Sequence, residues 1–223
     1  MAQSLEELAL FPLNTVLFPH AHMRLHVFED RYRELVQHCL RHEVPFGIVL
    51  IRNGSEVGGG ADPYLVGTLA RIVAVETYDD GRMDIQIRGE ERFRIRRIDE
   101  DIRPYPVGYV EPVLELEIEN PNRAEELLIQ AREHFEIYIQ QSFANRDLRV
   151  EVRFPTEPVA LSFNIANLLP MDNLEKQKML ETTDTLERIE DLLPVMQAQL
   201  LEIRDPRVFK LRAADLSDWV SPN

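Results

Sequence analysis

Apolar residues alternate with a period of two through the first half of the chain and recur at about 3.6 through the second. Met23, Leu25 and Val27 alternate with His22, Arg24 and His26, which predicts a strand with one buried and one wet face. Glu29 and Asp30 then favour a helix N-terminus, and Tyr32, Leu35, Val36, Cys39 and Leu40 recur at helical spacing. Phe46–Ile51 is a short apolar run suited to a buried strand, and Arg52–Pro63 collects Gly, Asn, Ser and Asp into a loop. Leu69–Thr77 runs into Tyr78-Asp79-Asp80-Gly81, a hairpin signal because Asp-Gly tolerates the positive φ of a tight turn. Met83, Ile85 and Ile87 follow on one face, and Gly89-Glu90 predicts a further short reversal. Beyond it, Phe93 and Ile95 are expected inward and Arg92, Arg94 and Arg96 outward, with a slip at Arg97–Ile98 that predicts a bulge or the strand's end. Tyr105–Leu116 gives a last extended segment, its prolines restricting it to edge or bulged positions. Six or so short strands with one inserted helix suggest a small, partly closed barrel.

At Glu119–Asn122 the period changes, which predicts a domain boundary between 1–118 and a helical subdomain over 119–204, with 205–223 as a C-terminal tail. The first helix, about Asn122–Ala144, places Leu127, Leu128, Ala131, Phe135, Tyr138 and Ile139 on one face. A second is expected from an N-cap near Thr156 to just before Pro170, and a third from the capping box Asp172/Glu175 to about Glu181. The fourth, from near Thr183, carries Leu186, Ile189, Leu193, Met196, Leu200 and Ile203 as a packing seam, interrupted by Pro194. Phe209, Leu211, Leu216 and Trp219 make the tail apolar enough to dock.

Charge narrows the partners. The net charge is −14, and it is even: 13 basic and 20 acidic residues up to Ile118 give −7, and 12 and 19 beyond it give −7. Such a surface repels phosphate backbones and anionic lipid, so neither nucleic acid nor membrane is expected as a partner. Cys39 is the only cysteine, which excludes an intrachain disulfide and suits a reducing compartment. The opening residues have no basic n-region, and no apolar run is long enough to span a bilayer, so a cytoplasmic location is expected.

Catalytic motifs are sparse. The glycines at 58–60 lack the Gly-Lys-Ser/Thr continuation of a phosphate loop and read as a hairpin tip. Lysine occurs only at 176, 178 and 210, and no serine has a nucleophile-elbow context, so no catalytic residue is assigned. His20, His22 and His26 share strand parity, but Arg24 between them would repel a cation; His38 and His42 have the i, i+4 spacing that zinc sites use, but Cys39 follows His38 where a catalytic glutamate would sit. Neither a metal nor a cofactor is expected. The Arg92, Arg94, Arg96 row is interleaved with acids and has no stacking aromatics, so it predicts a solvated face with cross-strand ion pairs.

The strings LFPLNTVLFP, LHVFEDRYRELV and GTLARIVAV with DGRMDIQIRGEERFRI, in that order, resemble the N-terminal substrate-binding domain of Lon proteases. SFNIANLLPMDNLEKQKMLETTDTLERIEDLL resembles that domain's helical segment, so the likeness covers about Leu8–Ile203. It implies an α+β fold: a PUA-like small β-barrel with an inserted helix, followed by an α-helical bundle. The ATPase and Ser–Lys protease modules of full-length Lon have no counterpart in this sequence, so peptidase activity is not expected. The implied function is a non-catalytic binding module for unfolded or exposed protein segments. The peptide-binding surface expected for it comprises Pro19, His20, Met23, Tyr64, Leu65 and Tyr109, at a barrel–bundle cleft. The alternative is a regulator or scaffold acting by self-association into a homo-oligomer, through the fourth-helix seam or the tail, or by pairing with a protease complex.

Overall fold

The computed structural model of the chain describes residues 5–143, 150–152, 154–203 and 220–222. They form two compact units. One takes the chain up to Leu114 together with Asp172–Glu181; the other takes Glu115–Met171 and the chain from Thr182 onward.

In the first unit, β1 (Glu6–Leu13) leads through β2 (His22–Val27) and helix α1 (Asp30–His42) to β3 (Phe46–Asn53), which lies parallel to β1. The short β4 (Asp62–Pro63), β5 (Val66–Thr77), β6 (Met83–Asp99) and β7 (Val107–Pro112) follow. Strand β1 pairs with β7 through Glu6–Ala9 and with β3 through Leu10–Leu13. The antiparallel pairs β7–β6, β6–β5 and β5–β3 then close a five-strand ring, which leaves those strands no open edge where they pair on both sides. Leu8, Leu10, Val49, Phe93, Ile95 and Val110 fill it. Helix α1 buries Tyr32, Leu35, Val36 and Cys39 at the predicted spacing, whereas Leu40, expected with them, lies at the edge of that face and is exposed.

Strand β6 departs from expectation at two points. Its hairpin with β5 turns at Gly81, φ 83°, as Asp-Gly predicts. No reversal occurs at Gly89-Glu90: the strand runs on for 17 residues. Gly89 is instead a site of close approach, since a Cβ there would lie 2.2 Å from the Phe18 carbonyl oxygen. The Gly89 N–H donates to the Ala21 carbonyl at 2.8 Å and its carbonyl accepts the His20 N–H at 2.9 Å. Between the pairs Thr68↔Arg92 and Ala70↔Gly89, β6 advances one residue more than β5. Phe93 and Ile95 enter the barrel core as expected, but Arg92 on the other face is buried (4% exposed) rather than outward, because Asp172–Glu181 packs there and the Leu180 carbonyl accepts from Arg92 Nη1 at 2.6 Å. Arg96 keeps the expected cross-strand pair, with Glu111 at 2.5 Å, and a second register shift falls between Ile95 and Arg97.

In the second unit, α2 (Pro121–Phe143) buries Ala124, Leu127, Ala131, Phe135, Tyr138 and Ile139. The backbone of β8 (Val150–Val152) pairs antiparallel with the last described strand. Helix α3 (Pro158–Leu168) starts two residues past the expected Thr156; Glu157 is the N-cap, and Pro158 takes the first turn, where its missing N–H costs nothing. Helix α4 (Asn173–Glu181) has its predicted capping box, Asp172 N–H to Glu175 Oε2 at 2.9 Å and Glu175 N–H to Asp172 Oδ1 at 2.8 Å. It belongs to the strand unit, although its period alone groups it with the helices. Helix α5 (Thr185–Ile203) is capped by Asp184, which accepts the N–H groups of Leu186 and Glu187. Its buried line is Thr185, Arg188, Ile189, Leu192 and Met196; Leu186, Leu193 and Leu200 of the expected seam are only half-buried, because Thr185 and Leu192 take the inward positions. Pro194 lies exposed inside the helix without ending it. The last described strand, β9 (Val220–Pro222), completes the pair with β8. Phe209, Leu211, Leu216 and Trp219 lie outside the described residues.

Candidate functional site

Strand β2 joins the barrel sheet on one side only. Residues His22–Val27 pair with Arg88–Met83 of β6, and no strand among the described residues occupies the other edge. Strand β1 is similarly open over Phe11–Leu13, because β7 pairs only with Glu6–Ala9. Between these edges lies a cavity of about 320 Å³, walled by Phe11 and Leu13 and by four consecutive β2 residues, Arg24–Val27. Residues of both facings reach it, so it runs along the edge of β2 rather than against one face. Phe28 and Val57 close its mouth, yet are 48% and 54% exposed. Met23 and Leu25 face inward and still remain half-buried.

The polar groups around the cavity are largely paired. Tyr32 stacks on Phe11 with ring centroids 3.9 Å apart, lies under the Arg31 guanidinium at 4.3 Å, and is pushed by burial up to about 12. Glu29 accepts from Arg31 at 3.2 Å and from the Gly58 N–H at 3.2 Å, which positions the glycine loop beside α1. Asn14 donates to Glu56 at 3.1 Å. Outside, His26 Nδ1 meets Asp84 Oδ1 at 2.6 Å and the Tyr78 hydroxyl donates to Asp84 Oδ2 at 2.6 Å. The Tyr78 bond, then the His26 bond, hold the Asp84 carboxyl below its usual range. Arg24 and Arg88 share this outward face, both exposed, and neither has a hydrogen bond or ion pair among the described residues.

The residues singled out from the sequence fall in three places. Pro19 is buried and His20 half-buried in the β1–β2 connection; His20 has φ 67° and so lies outside the strand it was expected to share with His22 and His26. Burial, then Arg88, lowers the His20 pKa. Met23 follows on β2, opposite Ile87. Tyr64 and Leu65 lie at the β4–β5 connection, where the Tyr64 N–H donates to the Leu50 carbonyl and the Leu65 carbonyl accepts the Ile95 N–H. Tyr109 lies on β7 beneath the Arg97 guanidinium at 3.9 Å. None of the six walls the 320 Å³ cavity. Sequence reasoning missed Phe28 and Val57; only their exposure beside an unpaired edge marks them, and both depend on tertiary structure.

A second cleft, about 430 Å³, has Leu8, Cys39, Phe93 and Val110 in its walls and Glu7 and Arg103 among its charged residues. Burial pushes the Cys39 thiol up to about 11, which keeps it protonated and non-nucleophilic at neutral pH. Among the described residues, no group of three His, Cys, Asp or Glu side chains can hold a metal ion, and no helix is long and apolar enough to cross a membrane.

Residues 7–198 match the model of the ATP-dependent protease La (LON) substrate-binding domain. The chain belongs to the Lon substrate-binding domain family. It is 29% identical over 197 residues to Lon protease 2 of Syntrophobacter fumaroxidans, covering 87% of this chain and 25% of that protein. It is 26% identical over 204 residues to the Lon protease of Escherichia coli K12, with 87% and 25% covered. A LON peptidase N-terminal domain and RING finger protein of Schizosaccharomyces pombe is 25% identical over 210 residues, covering 79% of this chain and 42% of that one. The chain thus spans about a quarter of the length of the Lon proteases it matches. Among solved structures, a Lon N-terminal domain protein from Xanthomonas campestris aligns with a TM-score of 0.61 at 29% identity, covering 85% of this chain and 98% of that one. The N-terminal domain of Mycobacterium avium complex Lon protease has the same fold, with a TM-score of 0.60 at 20% identity and coverage of 86% and 98%. The Lon-domain fold is therefore α+β, as the sequence resemblance implies.

Proposed function

We propose that this Lon-family chain is a non-catalytic module that holds unfolded or exposed segments of other proteins. The observation that carries the reading is the match of residues 7–198 to a substrate-binding domain. The apolar cavity beside an unpaired strand edge supports it, because an extended chain can satisfy such an edge. The matched region contributes no ATPase or protease module, and no nucleophile with an adjacent base accompanies the cavity. The charge of −14 supports a protein partner over nucleic acid, and a lone buried Cys39 accords with a cytoplasmic site of action.

The test is a titration of the purified chain into a fluorescently labelled, reduced and carboxymethylated polypeptide, followed by anisotropy. Saturable binding with Kd at about tens of micromolar or tighter is expected, with the native form of the same polypeptide as a non-binding control. No saturation overturns the reading. Of the α5 seam on which the scaffold alternative draws, Ile189 and Met196 are already buried within the helical unit, while Leu186, Leu193 and Leu200 are half-buried.

A further inference from the structure

We infer that the open edge of β2 is the capture site itself, and that it takes an extended segment alternating apolar and acidic residues as an added strand. The inference rests on the binding-module reading above and specifies its site and ligand chemistry. Three observations meet at this edge. First, β2 pairs with β6 alone, so one row of its backbone N–H and C=O groups has no strand partner among the described residues. An extended polypeptide is the ligand that satisfies such a row residue by residue. Second, the adjoining 320 Å³ cavity is walled mainly by Phe11, Leu13, Leu25, Val27, Phe28 and Val57, with its carboxylates Glu29 and Glu56 already bonded to Arg31 and Asn14, so every second side chain of the added strand would enter mostly apolar surroundings. The half-exposure of Met23 and Leu25 on the inward face is what a missing neighbour strand leaves behind. Third, the outward face carries free cations on a chain of net charge −14: Arg24 and Arg88 are exposed and have no partner among the described residues, while Asp84 is already hydrogen-bonded to His26 and Tyr78. An acidic side chain on the added strand would lie across from Arg24, a pairing that stabilises adjacent strands.

The same charges select against a second copy of this chain. Self-pairing of β2 edges about Arg24 would set two Arg24 guanidinium groups against each other, and like charges across a strand pair destabilise it.

The probes are a short blocked peptide alternating valine and glutamate, its valine–lysine counterpart, and the valine–glutamate peptide N-methylated at alternate backbone amides. Binding is read by anisotropy, alongside the carboxymethylated polypeptide. The valine–glutamate peptide is expected to bind and to displace the polypeptide; the lysine and N-methylated peptides are expected not to. Arg24→Glu, at an exposed position, should weaken the acidic peptide about fivefold and favour the lysine peptide, while the thermal midpoint stays near wild type. Val57→Asp should weaken both. Equal binding of the N-methylated peptide, or indifference to Arg24→Glu, overturns strand addition. If the polypeptide binds but the acidic peptide does not displace it, the edge assignment fails and the module reading stands; if the polypeptide does not bind at all, both fail.

Discussion

Arg188 is the largest side chain with no exposure, and its surroundings account for it atom by atom. Nε donates to Ser162 Oγ at 2.8 Å, Nη1 to the Thr182 carbonyl at 2.6 Å, and Nη2 to Glu115 Oε2 at 3.1 Å and Thr185 Oγ1 at 3.3 Å. The guanidinium carbon lies 3.9 Å over the Phe163 ring. Burial pulls its pKa down, and Glu115 and then Asp184 work against that, so the charge is kept by two carboxylates and a fixed fork of acceptors. Arg188→Ala removes every one of these bonds and leaves buried acceptors facing a void. A cost of about 3–5 kcal/mol in urea unfolding is expected. Arg188→Lys should fall well short of rescue, since an ammonium cannot serve acceptors arranged for a planar fork. In a double-mutant cycle, Arg188→Met with Glu115→Gln should cost less than the sum of the two changes; strict additivity would mean the pair is not coupled.

At the scale of the elements, β6 is where the sequence is both informative and misleading. The alternation of Met83, Ile85 and Ile87 and the Asp-Gly turn are local properties, and both are found as the pattern implies. The α4 capping box was legible for the same reason: its donors and acceptors are three residues apart. Gly89 carries two meanings that no local pattern separates, a turn that needs positive φ or a contact that excludes a Cβ. The contact is with Phe18, 71 positions away in the chain, so only the fold decides. Arg92 was misjudged because the helix that covers its face, with the Leu180 carbonyl as acceptor, lies 88 positions away in the chain. The edge of β2 was hidden for a related reason, since a strand's sequence states which face is apolar but not whether both edges are paired. Gly89→Ala tests the close-approach reading. The new methyl must push the Phe18 carbonyl aside and strain the bonds to His20 and Ala21, so a loss of about 2 kcal/mol in urea unfolding is expected. A glycine needed only for a free turn would lose less and leave the His20 and Ala21 amides protected from exchange. Faster exchange at His20 is the distinguishing result.

For the molecule as a whole, the consequential feature is that the strand unit is not continuous in sequence: the chain leaves it after Leu114 and supplies α4 from Asp172–Glu181. Long-range bonds hold that helix. Asn173 donates to the Asn14 carbonyl at 2.6 Å, Gln177 to the Val66 carbonyl at 3.0 Å, and Arg92 to the Leu180 carbonyl at 2.6 Å. The last places a guanidinium against the C-terminal turn of α4, where unsatisfied carbonyls and the helix dipole both favour a cation. A fragment ending at Ile118, where periodicity suggests cutting, therefore lacks a piece of its own unit and deprives buried Arg92 of this acceptor. Arg92→Leu measures the effect. In the full chain the substitution removes a charged hydrogen bond and leaves the Leu180 carbonyl unpaired, so it should destabilise by about 1–3 kcal/mol. In the fragment that acceptor is already gone, so the same substitution should cost less there than in the full chain. A synthetic α4 peptide added to the unsubstituted fragment should restore stability, and should do less for the Arg92→Leu fragment. If the substitution lowers the midpoint equally in both backgrounds, α4 is a passenger on the barrel rather than part of what closes it.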